Sequence, residues 1–430
     1  FCSRVNNRAL KPRFPAGTRT NRLIEAPAPK TTTDSLAMTR STALSAKDSL
    51  TLPDRITDRI RSINYQLADF MGTCMLRHRD VAPVFGVRPE ELAMLAQNAA
   101  GQRQLMGTPF LVVAPMFKSV EDWRSLIRKS TSTLAIDKVK AQFGNLDPSL
   151  KMSLFHQNKD YVWMVVDLLH STPVAAQLLG MPQDLADYLV TVSQHELELA
   201  IFGANFPMFR WRFENPLFWL EFSANLVSEE TICHHVMTAG DSRAPRPQQR
   251  ERWGNFRVGR AQMERYTEAL IGLRCRASSV ASMFPGTAAT ARALYRQIHG
   301  ESSPCGLMPS SSSWYVESVS SRIQSTTLIW LYWSALAARA NEPEAFITAL
   351  DTIGRLFGDA ARLTPDRAFH LARSVSTGSD LAMSSCRSCS THYLTCNTTP
   401  KIELAASFHC PSCTGALTAP RKGKPRKQVA

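Results

Sequence analysis

Residues 386–413 read CRSCSTHYLTCNTTPKIELAASFHCPSC. Cys386 and Cys389 form one CxxC pair, Cys410 and Cys413 another, and twenty residues separate the two. Each pair can make a tight turn that points both sulfurs inward, and two such turns complete a tetrahedron around one Zn2+ ion. Four thiolates leave no open coordination position, so a metal held this way is structural rather than catalytic. The spacing by itself also admits a pair of redox dithiols or two local disulfides. The distribution of the ten cysteines favours the metal: five lie inside this window, while Cys2, Cys74, Cys233, Cys275 and Cys305 are scattered. Clustered CxxC pairs of this kind suit a reduced, cytoplasmic compartment. Cys396, His392 and His409 lie nearby but lack a matched partner, which makes them surface or packing residues in this reading.

Beyond the second pair comes a basic tail, residues 418–430, with Arg421, Lys422, Lys424, Arg426 and Lys427. Such a run is commonly a solvated end; beside a zinc knuckle it is also a candidate for phosphate contact. The whole chain leans the same way, with a net charge of +14, a pI near 9.5 and 44% apolar residues in 430. That composition buries real cores and favours a polyanionic partner such as nucleic acid or an acidic membrane surface. No uncharged apolar run reaches the roughly 20 residues needed to span a bilayer, and of the two partners nucleic acid is the one expected, with no membrane partner. The segment at 1–52 is rich in Arg, Ser, Thr and Pro and reads as a disordered leader, with Met38 a plausible start.

Between leader and tail the periodicity is helical. Ile56, Ile60, Ile63, Leu67, Phe70 and Met75 place one apolar face on a first helix. A short turn through Val81–Phe85 meets Gly86, and Pro89-Glu90-Glu91-Leu92 opens another helix with acids at its amide end. Phe110–Val113 reads as extended. The same grammar returns about 93 residues later: a helix at Val162–Leu169, a short one at Val174–Leu179, Gly180, then Pro182-Gln183-Asp184-Leu185. Both copies finish in aromatic extended segments near Met116-Phe117 and Met208-Phe209. Two small helical units, 53–140 and 150–238, follow from this, then a basic Pro/Arg-rich linker at 239–259.

The third unit, 260–380, is also helical. The reading places a helix over Met263–Met283, a break at Pro285-Gly286, and Thr287 as N-cap of a helix from Ala288 to His299. A long helix follows from Trp314 to Ala338, with others near Glu344–Phe357 and Pro365–Val375. Cys275–His299 has helix–turn–helix proportions. Ala291, Leu294 and Ile298 would face the core, with Arg292, Arg296 and His299 outward toward a groove; an ordinary helical hairpin has the same proportions. No Gly-rich phosphate loop, HExxH helix or nucleophile elbow is present, and His195-Glu196 and His234-His235 read as incidental rather than catalytic, so no enzyme is expected.

The third unit resembles the C subunit of the bacterial flagellar master transcriptional regulator, FlhC. The resemblance rests on Ala293-Leu294-Tyr295-Arg296-Gln297-Ile298-His299-Gly300, on Gly306-Leu307-Met308-Pro309 with Ser313-Trp314-Tyr315, and on Leu371-Ala372-Arg373. It continues through Leu381 to Cys389 and closes with Phe408-His409-Cys410-Pro411-Ser412-Cys413, covering about 255–427. The two repeats are similar to the D subunit, FlhD, in their helix, apolar turn into glycine, acidic helix start and aromatic finish. Ser390-Thr391 stand where a small glycine pair often follows the first knuckle, and the D-like units are fused.

The resemblance implies a mostly α fold: two small helical FlhD-like units, an FlhC-like helical domain, and a four-cysteine zinc ribbon at 381–417. It also implies a σ70-dependent activator that binds double-stranded DNA in a multi-subunit complex, with one structural Zn2+ per chain on Cys386, Cys389, Cys410 and Cys413. Its partners would be a second copy of the chain or separate FlhD- and FlhC-type subunits, and RNA polymerase. The DNA-contact candidates are Arg292, Arg296, Arg421, Lys422, Lys424, Arg426 and Lys427. The competing reading is a zinc-ribbon interaction module that assembles with partners without itself reading DNA.

Overall fold

The structure, a computed structural model, describes residues 50–129, 131–143, 146–240, 254, 256–378, 380–398 and 401–419. Most of the proposed leader and linker, and the tail from residue 420, lie outside them. The described residues all fall in one compact unit. In the first half the elements run α1 (Asp54–Arg77), α2 (Ala82–Phe85), α3 (Pro89–Gln97), α4 (Ala99–Met106), β1 (Val113–Pro115), α5 (Val120–Arg128) and α6 (Leu134–Phe143). The order then repeats as α7 (Pro148–Ser171), α8 (Ala175–Leu179), α9 (Gln183–Thr191), α10 (Gln194–Gly203), β2 (Phe209–Trp211) and α11 (Pro216–Ser223), followed by α12 (Glu229–Ala239).

The two copies are wound into each other. Helices α1 and α7 pack antiparallel, with Gln66 bonded to Asp160 at 2.8 Å and Arg59 paired with Asp167. Gln66 and Asp160 occupy the same position of their respective helices, so a pseudo-twofold axis passes between them. Strands β1 and β2 obey that axis: Val113 faces Trp211, Ala114 faces Arg210 and Pro115 faces Phe209. The flanking bonds, Met116 N–H to Met208 O and Arg212 N–H to Val112 O at 2.9 Å each, are related by it as well. Short helix α2 packs on β2 and α8 on β1, so each copy's strand lies under its partner's helix. Likewise α5 of the first copy rests on α9 and α10 of the second.

A buried asparagine fixes each strand to its own long helix. Asn64 donates to Met106 O and Phe110 O and accepts from Val112 N–H; Asn158 donates to Phe206 O and accepts from Met208 N–H. Both side chains are fully buried. Their amides supply the donors and acceptors that the irregular chain before each strand would otherwise lack. Gly86 and Gly180 end the short helices in left-handed conformation, φ +70° and +67°, where a side chain would strain the backbone.

The second half comprises α13 (Arg260–Gly272), α14 (Ala277–Met283), α15 (Ala288–His299), α16 (Trp314–Glu317), α17 (Val319–Ala337), α18 (Glu342–Phe357) and α19 (Pro365–Thr377). The antiparallel strands β3 (Leu381–Ser385), β4 (His392–Thr398) and β5 (Lys401–Ile402) follow. Helix α17 is buried on every side from Ser321 to Ala335, the signature of a central helix, and α12, α18, α19 and β4 surround it.

Several local expectations are corrected. The helix expected over Met263–Met283 breaks at Leu273–Arg276, where Arg274 takes φ +62°. The single helix from Trp314 to Ala338 is two, because Ser318 turns extended and caps α17 through the Ser321 N–H. Thr287 does not cap α15; its hydroxyl bonds back to Phe284 O at 2.7 Å. Of the short strand or extended segment expected over Phe110–Val113, only Val113 is paired, in a strand running to Pro115, while the Asn64 clamp engages Phe110 and Val112.

Candidate metal centre and nucleic-acid interface

The four cysteines of the two CxxC pairs converge. Their sulfurs lie within 4.8 Å of one another, and Cys389 Sγ and Cys410 Sγ are 3.6 Å apart. Zinc–sulfur bonds of about 2.3 Å in a tetrahedron put sulfurs about 3.8 Å apart, so the donor set fits a Zn2+ ion in both chemistry and spacing. Cys386 and Cys410 are buried, Cys389 is half-buried and Cys413 is exposed. All nine cysteines among the described residues are free thiols, so the two local disulfides are not formed here.

The knuckles follow from their own hydrogen bonds. Ser390 N–H bonds to Cys386 O at 2.9 Å with Ser390 at φ +60°, which closes the first turn in a conformation glycine would adopt more readily. The second turn closes through Thr414 N–H to Cys410 O, and Gly415 at φ +70° ends it. Backbone amides also point at sulfur: Cys410 N–H to Cys386 Sγ at 3.3 Å and Cys413 N–H to Cys410 Sγ at 3.4 Å. Burial alone would raise the Cys386 thiol, but amides of Cys389, Cys410 and Ser388 hold it down to about 6. Burial pushes Cys413 up to about 11 and raises Cys410 as well. One sulfur is thus ready as thiolate at neutral pH, and the other ligands would lose their protons to a metal.

The neighbouring Cys396, His409 and His392 stay outside the cluster, as their unmatched spacing suggests. Cys396 is buried with Sγ 2.9 Å from Thr398 Oγ1, and His409 Nδ1 meets Ser388 Oγ at 3.0 Å, joining one knuckle to the other. His392 is not among the converging ligands either.

Two buried contacts that sequence reasoning missed seat the ribbon. Arg322 of α17 grips Glu403 with both terminal nitrogens, at 2.5 and 3.1 Å, donates to Val316 O and lies over the Phe408 ring. From α12, His234 Nδ1 meets Tyr393 OH at 2.7 Å and His235 Nε2 meets Glu221 at 2.8 Å. Burial first, and the neighbouring His235 second, push His234 down to about 3, so it is neutral. The adjacent histidines, incidental by sequence, are buried packing residues, bonded through His234 Nδ1 and His235 Nε2. Tyr393 is too far along the chain for a local pattern to pair it with His234.

On the nucleic-acid side, the seven-residue α14 and twelve-residue α15 are joined by a short turn through Pro285-Gly286. Arg292 and Arg296 are exposed, four residues apart on one face of α15, and Arg296 reaches Ser302 Oγ at 3.4 Å. The inward face differs from expectation. Ala291 and Tyr295 are buried, Leu294 is half-buried and Ile298 is exposed. His299 turns inward to bond Ile271 O at 2.7 Å, capping the end of α13 instead of facing a groove. Arg421, Lys422, Lys424, Arg426 and Lys427 lie outside the described residues. No helix among those described is long and apolar enough to cross a membrane.

Comparison with known families places residues 265–429 against the model for FlhC, the flagellar transcriptional activator. The match runs from α13 through the four cysteines, so this C-terminal region is FlhC-like, as its residues suggest. No curated protein matches the chain.

Proposed function

We propose that this chain is a DNA-binding transcriptional activator of the flagellar master regulator type, acting in a multi-subunit complex on σ70 promoters of flagellar or related genes. The observation that carries this reading is the FlhC match over residues 265–429, a region that ends in four converging cysteines. Zn2+ on Cys386, Cys389, Cys410 and Cys413 would lock the two knuckles together and supply folding free energy to a ribbon with little core of its own. In this reading the two intertwined repeats take the part of FlhD-like subunits, carried in the same chain.

In this reading the tail cations touch phosphates, which position the protein without reading sequence. Arg292 and Arg296 project from the second helix of the α14–α15 pair, where an arginine can contact a guanine edge. A salt-titrated gel shift on duplex DNA tests it. Retention should fall steeply with salt, and deleting residues 420–430 should flatten the slope by about 0.9 for each phosphate no longer neutralised. Arg292→Ala or Arg296→Ala should cost about 1–3 kcal/mol on the preferred site and little elsewhere. A full-length chain that assembles with itself or with FlhD- and FlhC-type subunits, yet retains no duplex at any salt, would instead be the zinc-ribbon interaction module.

A further inference from the structure

We infer that the cysteine centre is completed from outside the FlhC-matching region: Thr238 and His234 of α12 are positioning residues that hold the first knuckle in its metal-binding geometry. The inference rests on the metal reading of the cysteines.

Thr391 links the helix to the ligands. Its carbonyl accepts the Cys386 N–H at 2.9 Å and its hydroxyl lies 3.4 Å from Cys389 Sγ, so it contacts both ligands of the first knuckle. It is buried, and Thr238 Oγ1 sits 2.8 Å from its hydroxyl oxygen. Thr238 also reaches His234 O, one turn back on α12, at 2.8 Å. Two residues along β4, the Tyr393 hydroxyl meets His234 Nδ1 at 2.7 Å. One helix therefore grips the knuckle twice, on one face and four residues apart. Its other side is anchored through His235 to Glu221 of α11.

The chemistry gives that grip a direction. A cysteine bound to a metal carries no proton, so its hydrogen bond with Thr391 must run from hydroxyl to sulfur. The Thr391 oxygen is then left to accept, and the single Thr238 proton, otherwise given to His234 O, is the one in reach, so metal binding turns that hydroxyl from its own helix to the knuckle. Groups that orient metal ligands in this way commonly change affinity about 10–100-fold when removed. Thr391, directly after Ser390, supplies the hydroxyl that this contact requires.

The test is zinc affinity of the full-length chain, measured by competition with a chromophoric chelator. Thr238→Val, which keeps shape and removes the hydroxyl, should weaken zinc binding about 10-fold or more. Thr238→Ser should restore it, which a purely steric role would not produce. Tyr393→Phe keeps the buried ring and removes only the bond to His234, and should also weaken binding; if Thr238→Val fails to fold, this variant decides the matter. Wild-type affinity in the folded variants overturns the inference while leaving the metal centre intact. A wild-type chain that binds no zinc overturns the metal reading and this inference together, and gel-shift retention reports on DNA binding separately.

Discussion

The first and second helical repeats share their internal clamps and strand register but diverge at many other equivalent positions. Asn64 and Asn158, and Trp123 and Trp219, are matched and buried, and the two strands pair symmetrically about Ala114 and Arg210. Other equivalent positions have diverged. Glu121 and Arg124 of α5 form a 2.6 Å ion pair, with Arg124 over the Tyr188 ring; their counterparts on α11 are the exposed Leu217 and Leu220. Ser125 of the first repeat bonds to a nearby carbonyl, whereas its counterpart Glu221 reaches His235. Residues 53–140 hold 13 basic and 9 acidic residues, and 150–238 hold 4 and 10, so the first repeat is net basic and the second net acidic. Pseudo-symmetric pairing keeps the asparagine clamps and the strand register alike in both copies, while equivalent positions that meet different neighbours have diverged, buried Arg212 and Met116 among them.

The metal offers the severest challenge to that picture. Cys410→Ser should remove metal-coupled folding worth on the order of 10–16 kcal/mol in small zinc domains. Hydrogen exchange should then show reduced protection in β3, β4 and α12, with the Asn64 clamp unaffected. An equal decrease in both repeats would show that the ribbon is not tied to the second repeat's side.

The asparagine clamps test the equivalence of the two interiors directly. Asn64→Leu and Asn158→Leu each leave buried backbone groups without partners, at about 2–4 kcal/mol in denaturant unfolding. Asn64 should cost more, because it makes three such bonds to Asn158's two. A large effect at one position and none at the other would end the equivalence of the repeats.

The smallest effect concerns pH. His234 is held down to about 3 by burial, below an unfolded value near 6.5, so the unfolded chain binds its proton first. Its stabilising contribution is complete above about pH 6.5 and fades as pH falls toward 3, by about 2 kcal/mol at pH 5. His234→Asn should remove that slope between about pH 7 and 5 in thermal or denaturant unfolding. An unchanged slope would assign it to other groups.

Local chemistry was legible in the chain itself. CxxC spacing is a short-range instruction, because one tight turn brings its two sulfurs together, and the residues of both knuckles could be named from it. Helical periodicity and the glycine-ended short helices likewise located both repeats and most helices. Other features arise only once the chain is packed. The interleaving of the repeats depends on which strand lies under which helix, and no local pattern encodes a partner such as Asp160 for Gln66, 94 residues away. The Ser318 break, the inward turn of His299 and the hydroxyl of Thr287 bonding back to Phe284 follow from where buried polar groups find partners. The grip of α12 on the ribbon joins residues up to 159 apart in the chain. A hydrogen bond of that span is selected by the whole packed fold, since only burial makes an unpartnered histidine or tyrosine costly enough to dictate where two elements meet.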